Sequence, residues 1–503
     1  MALLGDETLP EGATLDFERL LTSGGDERIA IDPRTGRNRY GTPRGLAHGE
    51  TWFSSSTATA ISARGYDAAR DAYLSAVRPG RARSIPTWLD QTRTRLSALF
   101  GIPGTEVILS GSGTELELIA LFLARNALHG PLTNVVVAPG ETGRGVLLAA
   151  SGRHFLGSSP FGETREHGSW VEGFETSRSS IETIEIRDEA GGLKSSESVD
   201  AEVVRKVEAG VANGRCALVH LLDCSKTGRG GPRRSTASAL LERYPGQVLV
   251  VVDSCQLRCS PEQIRADLRA GFMVMITGSK FAAGPPFAGA MLLPPLIMGQ
   301  LATLDLPPGL LAYASAEDWP AALRRKISRP FAVTENVGAG LRWEAALAEL
   351  EALFALPVQF RESVVTAFGS AVDRHVREHA DLELIDPGLA DVLQPYPTIF
   401  PIVTAARSGA LPACDAIYRA LRLPLPDDPA AEISKGVFHV GQPVPVGQHD
   451  ALRVCLSASQ IVDVAENVKK GHAFKTAIAP LMADLDHLFL KWSRVADQPC
   501  SPA

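Results

Sequence analysis

Short, mainly apolar runs alternate with helical segments along the first three hundred residues, at Val107–Leu109, Val135–Ala138, Ala217–Leu222, Val248–Val252, Phe272–Ile276 and Ala288–Leu293. Runs without a polar face suit strands covered on both sides, and their alternation with helices predicts an α/β domain around a mostly parallel, buried sheet. In such a sheet ligands bind at the C-terminal ends of the strands. An apolar stretch from Leu116 to Leu128 predicts a helix after the first run. Around Val337–Leu356 the pattern becomes rich in Ala, Leu and Glu and predicts a helix leading into a second, smaller α+β domain. There, strands are expected at Thr398–Thr404 and Leu452–Leu456, with a closing helix from Val462 to Lys491. The first sixty residues, rich in Gly, Pro, Arg and Ser, read as an arm, with Arg34–Gly45 extended and suited to crossing a subunit boundary. The expected layout is an arm over 1–60, a large domain over 61–335 and a small domain over 336–503, with Gly168–Ser198 as a polar surface insertion.

Composition narrows the classes. The 503 residues suffice for two or three domains, and 50 basic against 57 acidic side chains give a net charge of −7 without long basic blocks. Nucleic acid and anionic membranes are therefore not expected partners. Met1–Gly12 carries three acidic side chains and no basic one, unlike a secretory signal, and no apolar run reaches the roughly 18 residues that span a bilayer. Seven cysteines without paired C-x-x-C spacing argue against a zinc or redox site and suit a reducing, cytoplasmic setting.

Candidate chemistry lies at four predicted strand ends. Ser110-Gly111-Ser112-Gly113-Thr114-Glu115 offers glycines and a helix N-terminus to an anion such as phosphate, although a plain strand-to-helix turn reads the same way. It lacks the third glycine of a dinucleotide fingerprint, the Gly-Lys of a P-loop and the spacing of a hydrolase elbow, which argues against an NAD enzyme or an α/β hydrolase. Asp253 closes a hydrophobic run and needs either a cationic partner or a helix to cap. Lys280 follows Thr277-Gly278-Ser279, 27 residues beyond Asp253, a spacing that puts the two on nearby strand ends. Asp223-Cys224-Ser225-Lys226 adds polar groups to the same edge. Lys226 is a competing nucleophile there, in a stretch that reads as a solvated turn.

The order of a Gly-Thr turn, a D-x-x-Q strand end and the stretch T-G-S-K-F-A-A-G-P resembles the fold type I pyridoxal-phosphate (PLP) enzymes, within them the class V aminotransferase and cysteine desulfurase branch. The likeness covers residues 60–345 and fades beyond. It implies a three-layer PLP-transferase large domain with a smaller α+β C-terminal domain. Lys280 would carry the Schiff base and move the proton at the α-carbon, and Asp253 would pair with the pyridinium nitrogen. Gln256 would reach the phenolic oxygen. Gly113 and Thr114 would hold the phosphate with Thr277 and Ser279, and Ser225 would contact the ring oxygen. Arg453, in a strand resembling the family's L-R-[VIF]-S with Cys455 at the serine, would bind the substrate carboxylate; an arginine paired on a surface strand is the alternative. A homodimer with shared active sites is implied, with Thr334 reaching a neighbouring subunit's phosphate. Ser54–Thr57 reads as a capped helix start.

Two departures bear on the reaction. No ring follows Ala138, where many relatives stack one on the cofactor, so stacking falls to His154, Phe155, His220 or a small side chain. Ser279 replaces the histidine of desulfurases, and His439–Asp450 holds no cysteine; His439, Gln442 and His449 line either a pocket or an exposed loop. Cys414 and Cys455 read as core thiols. The expectation is an enzyme acting on an amino acid or related amine. Aminotransfer is placed first and a lyase or decarboxylase is the alternative; a desulfurase and a non-catalytic PLP-binding protein rank below.

Overall fold

The computed structural model describes residues 11–78, 80, 82–162, 164–175, 179–385, 397–404, 414–425 and 436–497. Twelve strands are found among them: β1 Glu50–Phe53, β2 Glu106–Ser110, β3 Leu132–Val137, β4 Ser179–Ile184, β5 Cys216–Leu222, β6 Val248–Ser254, β7 Met273–Thr277, β8 Gly289–Leu293, β9 Leu382–Leu384, β10 Ile399–Thr404, β11 Val437–Val446 and β12 His449–Cys455. The large sheet runs β2-β8-β7-β6-β5-β3-β4, and only β8 lies antiparallel to its neighbours. This is the mostly parallel α/β sheet expected from the apolar runs.

Those runs are continuous because both faces are covered. In β6, Val248, Val250 and Val252 pack into one core cluster while Leu249 and Val251 pack into the cluster on the opposite face. A period of two in side-chain direction therefore requires apolar residues at every position. Asp253 lies next to Leu222 of β5 and Met275 of β7 in register, which carries it to the carboxyl edge of the sheet.

The small sheet runs β1-β11-β12-β10-β9, and β1 is its parallel edge strand. Of the first sixty residues, expected as an arm, parts of the described portion are built into the body: β1 pairs with β11, and Phe17 of the helix Glu11–Leu21 is buried in the large-domain core. The helix Val337–Phe354 joins the two parts. Its Trp343 and Leu347 pack in the large-domain cluster, whereas Leu353 packs in the small-domain one.

Other expectations change. The polar stretch 168–198 contributes β4, an edge strand paired parallel to β3, which its half-exposed, polar sequence concealed. The closing helix is two, Ala458–Lys469 and Phe474–Asp497, separated at Gly471, which takes a left-handed φ of +95°. Ser54–Thr57 is a turn after β1; the next helix begins at Ala63, capped by Ser62. Among the described residues no helix is long and apolar enough to cross a membrane. The acidic first ten residues lie outside the described residues.

Candidate functional site

A cavity of about 430 Å³ opens at the carboxyl edge of the large sheet, where the small sheet leans over it. Much of its wall is formed by residues that follow strand ends. The β2 end supplies Ser112, Gly113 and Thr114, because Ser112 caps the helix Gly113–Ala127 in a reciprocal capping box with Glu115. The first backbone N–H groups of that helix have no intrahelical acceptor, so the turn is a ready anion cradle. Only glycine fits at 113, since a Cβ there would come within 2.7 Å of Cys255 Sγ.

Asp253 and Lys280 meet in this cavity from the adjacent strands β6 and β7. Asp253 Oδ1 accepts the Cys255 N–H at 3.0 Å, which fixes the carboxylate's direction. Lys280, half-buried in the turn after β7, has an amine with no hydrogen bond or ion pair among the described residues. The turn is set by Gly278, where a Cβ would fall 2.4 Å from that of Ala346, so the helix Val337–Phe354 presses directly beneath the lysine. Seven residues past Lys280, Phe287 holds a left-handed φ of +77°, and its carbonyl accepts from the buried Arg342 at 2.7 Å.

The remaining expected residues divide. Gln256 donates Nε2 to the Ser56 carbonyl at 3.0 Å and leaves its buried Oε1 without a partner, facing the cavity. Ser279 lines the cavity. Thr277 also lines it, but its hydroxyl proton goes to the Cys255 carbonyl at 2.6 Å, so it has none to donate to an anion. Ser225 does not line the cavity. It donates to Glu141 Oε2 at 2.8 Å and accepts the Thr227 and Arg229 N–H groups, which makes it the organiser of its own loop. The expected ring-oxygen contact from Ser225 is therefore corrected, because its hydroxyl is consumed locally.

Arg453 reaches the cavity from β12 and is 1% exposed. It is not an arginine on a surface strand. Its Nη2 donates to the Gln442 carbonyl at 2.6 Å and to Thr57 Oγ1 at 3.0 Å, while Nε and Nη1 have no partner. Burial, despite the opposing field of Cys455, pulls its pKa down to about 10, and it remains a cation at neutral pH. Gly441 makes room for it: a Cβ there would lie 2.9 Å from Arg453 Nε.

Of the three proposed stacking residues, Phe155 lines the cavity. His154 hydrogen-bonds Tyr313 at 2.7 Å, and His220 turns to Glu117 at 3.0 Å. His439 stacks on Trp52 at 3.6 Å and bonds Glu50 at 2.8 Å, His449 is exposed, and Gln442 lines the cavity. Thr334 is exposed on this subunit. Lys226 is not in a fully solvated turn: it is half-buried and lines the cavity, and burial with the fields of Arg453, Lys280 and Arg144 lowers its pKa to about 7.

Sequence reasoning missed Arg28. Its side chain pairs with Asp26 through three hydrogen bonds, donates to Ser112 Oγ at 3.1 Å and lies over the Phe287 ring at 4.9 Å. Its partner Ser112 is 84 residues away. No local pattern in the sequence marks that contact.

A lysine and an aspartate on adjacent parallel strand ends, facing the glycine turn of a helix N-terminus, is the arrangement of the fold type I large domain, and the chain has that fold. No protein-family model matches the chain, and no curated protein matches it in sequence. Solved structures do match. The cysteine desulfurase CsdA of Escherichia coli is 13% identical with a TM-score of 0.55, over 90% of this chain and 95% of that one. A C-DES variant with glycine covalently linked to its PLP cofactor is 13% identical with a TM-score of 0.55, over 90% and 97%. The NifS-like protein of Rickettsia africae is 11% identical with a TM-score of 0.54, over 89% and 100%.

Proposed function

We propose that the chain is a PLP-dependent enzyme acting on an amino acid or related amine through Lys280. The observation that carries this reading is the unpartnered Lys280 amine in one cavity with Asp253, the Gly113 turn and the half-satisfied guanidinium of Arg453. The residues fit the cofactor. The helix N-terminus at Gly113 and Thr114 would suit a phosphate, Asp253 would suit a protonated ring nitrogen, and Gln256 lines the same cavity with its Nε2 held by the Ser56 carbonyl. When bound, PLP supplies an electron sink for a carbanion at the substrate α-carbon.

This chain's residues do the remaining work. Lys280 carries the cofactor and then takes or returns the α-proton, Asp253 holds the ring nitrogen charged, and Arg453 orients the carboxylate through its charge and its unpartnered Nη1. The reading supports aminotransfer first, because every group it needs is present. A lyase or decarboxylase is the second reading, supported by the likeness to the cystine C-S lyase C-DES. A desulfurase is not proposed. The hairpin of β11 and β12 carries no thiol at its tip, and the cavity's own thiols, Cys224 and Cys255, are pushed up by burial, Cys224 to about 12.

The test is spectroscopic. Protein reconstituted with PLP should absorb in the visible and yield a borohydride-stable adduct on Lys280, absent in Lys280→Ala; an adduct that persists in that variant refutes the assignment. Amino acids that convert the bound cofactor to its pyridoxamine form select aminotransfer. Release of ammonia or carbon dioxide without that conversion selects the alternative.

A further inference from the structure

The cavity is strongly cationic, beyond what its own acidic side chains neutralise. Six basic side chains line it, Arg28, Arg39, Arg144, Lys226, Lys280 and Arg453, against three acidic ones, Glu141, Asp253 and Asp415. Some of this charge is already matched. Arg28 is held by Asp26, and Glu141 by Arg187 at 2.5 Å. On the proposed reading Lys280 is used by the cofactor and Arg453 by the substrate's α-carboxylate. Arg39, Arg144 and Lys226 are then left for the cofactor's phosphate and any further anion, and for Lys226 the Arg453 guanidinium is the strongest neighbouring charge.

Lys226 is a placed side chain and not a stray surface lysine. Its own N–H donates to the Glu141 carbonyl at 2.9 Å. The turn that follows is pinned by the Ser225 hydroxyl, which donates to Glu141 Oε2 and accepts the N–H groups of Thr227 and Arg229, both at 3.1 Å. Glu141 in turn is anchored to Arg187 and Thr227. This carboxylate therefore organises the loop from behind and is spent on it. Among the described residues the Lys226 amine has no hydrogen bond or ion pair, although the side chain is half-buried. Withdrawing an ammonium from water without an anionic partner is costly, and the cost is recovered only when an anion arrives. The positive fields of Arg453, Lys280 and Arg144 reach the same amine.

We propose that Lys226, assisted by Arg144 at the rim, forms a second anion subsite in the cavity that Arg453 closes, and that the substrate is an amino acid with a second acidic group on its side chain. The proposal rests on the PLP reading above and names its substrate class. A carboxylate, sulfinate or sulfonate side chain shares the required chemistry: a compact anion that accepts charge-assisted hydrogen bonds. The depressed basicity of Lys226 agrees with this, because a neighbouring anion restores the proton that the surrounding cations disfavour.

The test compares isosteres on PLP-loaded protein. The cofactor absorption band is titrated with L-aspartate, L-glutamate and L-cysteate and with the neutral amides L-asparagine and L-glutamine, for the wild type, Lys226→Met and Lys226→Arg. The wild type should bind at least one acid about tenfold or more tighter than its amide or, for cysteate, than L-asparagine, the fold-change expected of one charge-assisted contact. In Lys226→Met that ratio should fall to about unity, and Lys226→Arg should restore most of it. Equal binding of acids and amides by the wild type overturns the proposal, as does a ratio that survives in Lys226→Met. Both outcomes leave the borohydride adduct on Lys280 intact, whereas absence of that adduct refutes the PLP reading beneath.

Discussion

Replacing Arg453 by methionine separates what this side chain does for the fold from what it does for a ligand. Methionine keeps most of the stem volume and removes the guanidinium. In the ligand-free protein two effects oppose each other. Burial draws the Arg453 pKa down to about 10, and a cation whose proton is held less tightly in the folded than in the unfolded chain destabilises the fold wherever it is charged, here throughout the neutral range. That effect is on the order of 3 kcal/mol. Against it stand the charged bonds to the Gln442 carbonyl and Thr57 Oγ1, about 1.5 kcal/mol each.

The two nearly cancel, so Arg453→Met should keep its thermal midpoint within a few degrees of the wild type. Ligand binding has no such cancellation. The unpartnered Nη1 makes a charge-assisted bond to a carboxylate, about 1.5–3 kcal/mol, so the affinity for amino acids should fall by roughly one to two orders of magnitude. The assay titrates PLP-loaded wild type and variant, by the cofactor band, with a panel of amino acids and the amines left when the α-carboxylate is removed. The wild type should favour the amino acid over its amine and the variant should not. A variant that keeps the preference shows that Arg453 is not the carboxylate clamp, and one that melts far below the wild type shows that the guanidinium is structural.

Two further outcomes follow from the same geometry. Gly441→Ala places a methyl 2.9 Å from Arg453 Nε and 2.7 Å from Ser56 Oγ, so it should weaken amino acid binding by tenfold or more while the borohydride adduct on Lys280 still forms; unchanged affinity would show that the arginine has slack. Lys491, fully buried, donates to the carbonyls of Leu421, Leu423 and Gly436, and Lys491→Met should cost about 2–4 kcal/mol in chemical denaturation by stranding those acceptors, with no change in the Lys280 adduct.

The large domain was legible in the sequence because each of its central strands is buried on two faces, and a run such as Val248–Val252 permits no other common reading. The same local logic placed Asp253 and Lys280 at strand ends, since one βαβ unit brings consecutive parallel strands side by side. Gly113 and Thr114 were readable from a capping pattern written within six residues. Where local chemistry was ambiguous, tertiary partners decided. The hydroxyl of Ser225 is used by Glu141, 84 residues away, and that of Thr277 by Cys255, so neither serves a ligand as its type suggested.

The sequence by itself therefore determined the α/β scaffold, the order of its strand ends and the lysine and aspartate they carry, because these depend on periodicity and on neighbours within one supersecondary unit. Only the tertiary structure decided that β1 from the N-terminal region edges the small sheet, that Arg28 braces the anion turn, and that Lys226 faces inward among other cations. Each of these depends on contacts between segments far apart in the chain, where burial and charge are set by partners that no local pattern encodes.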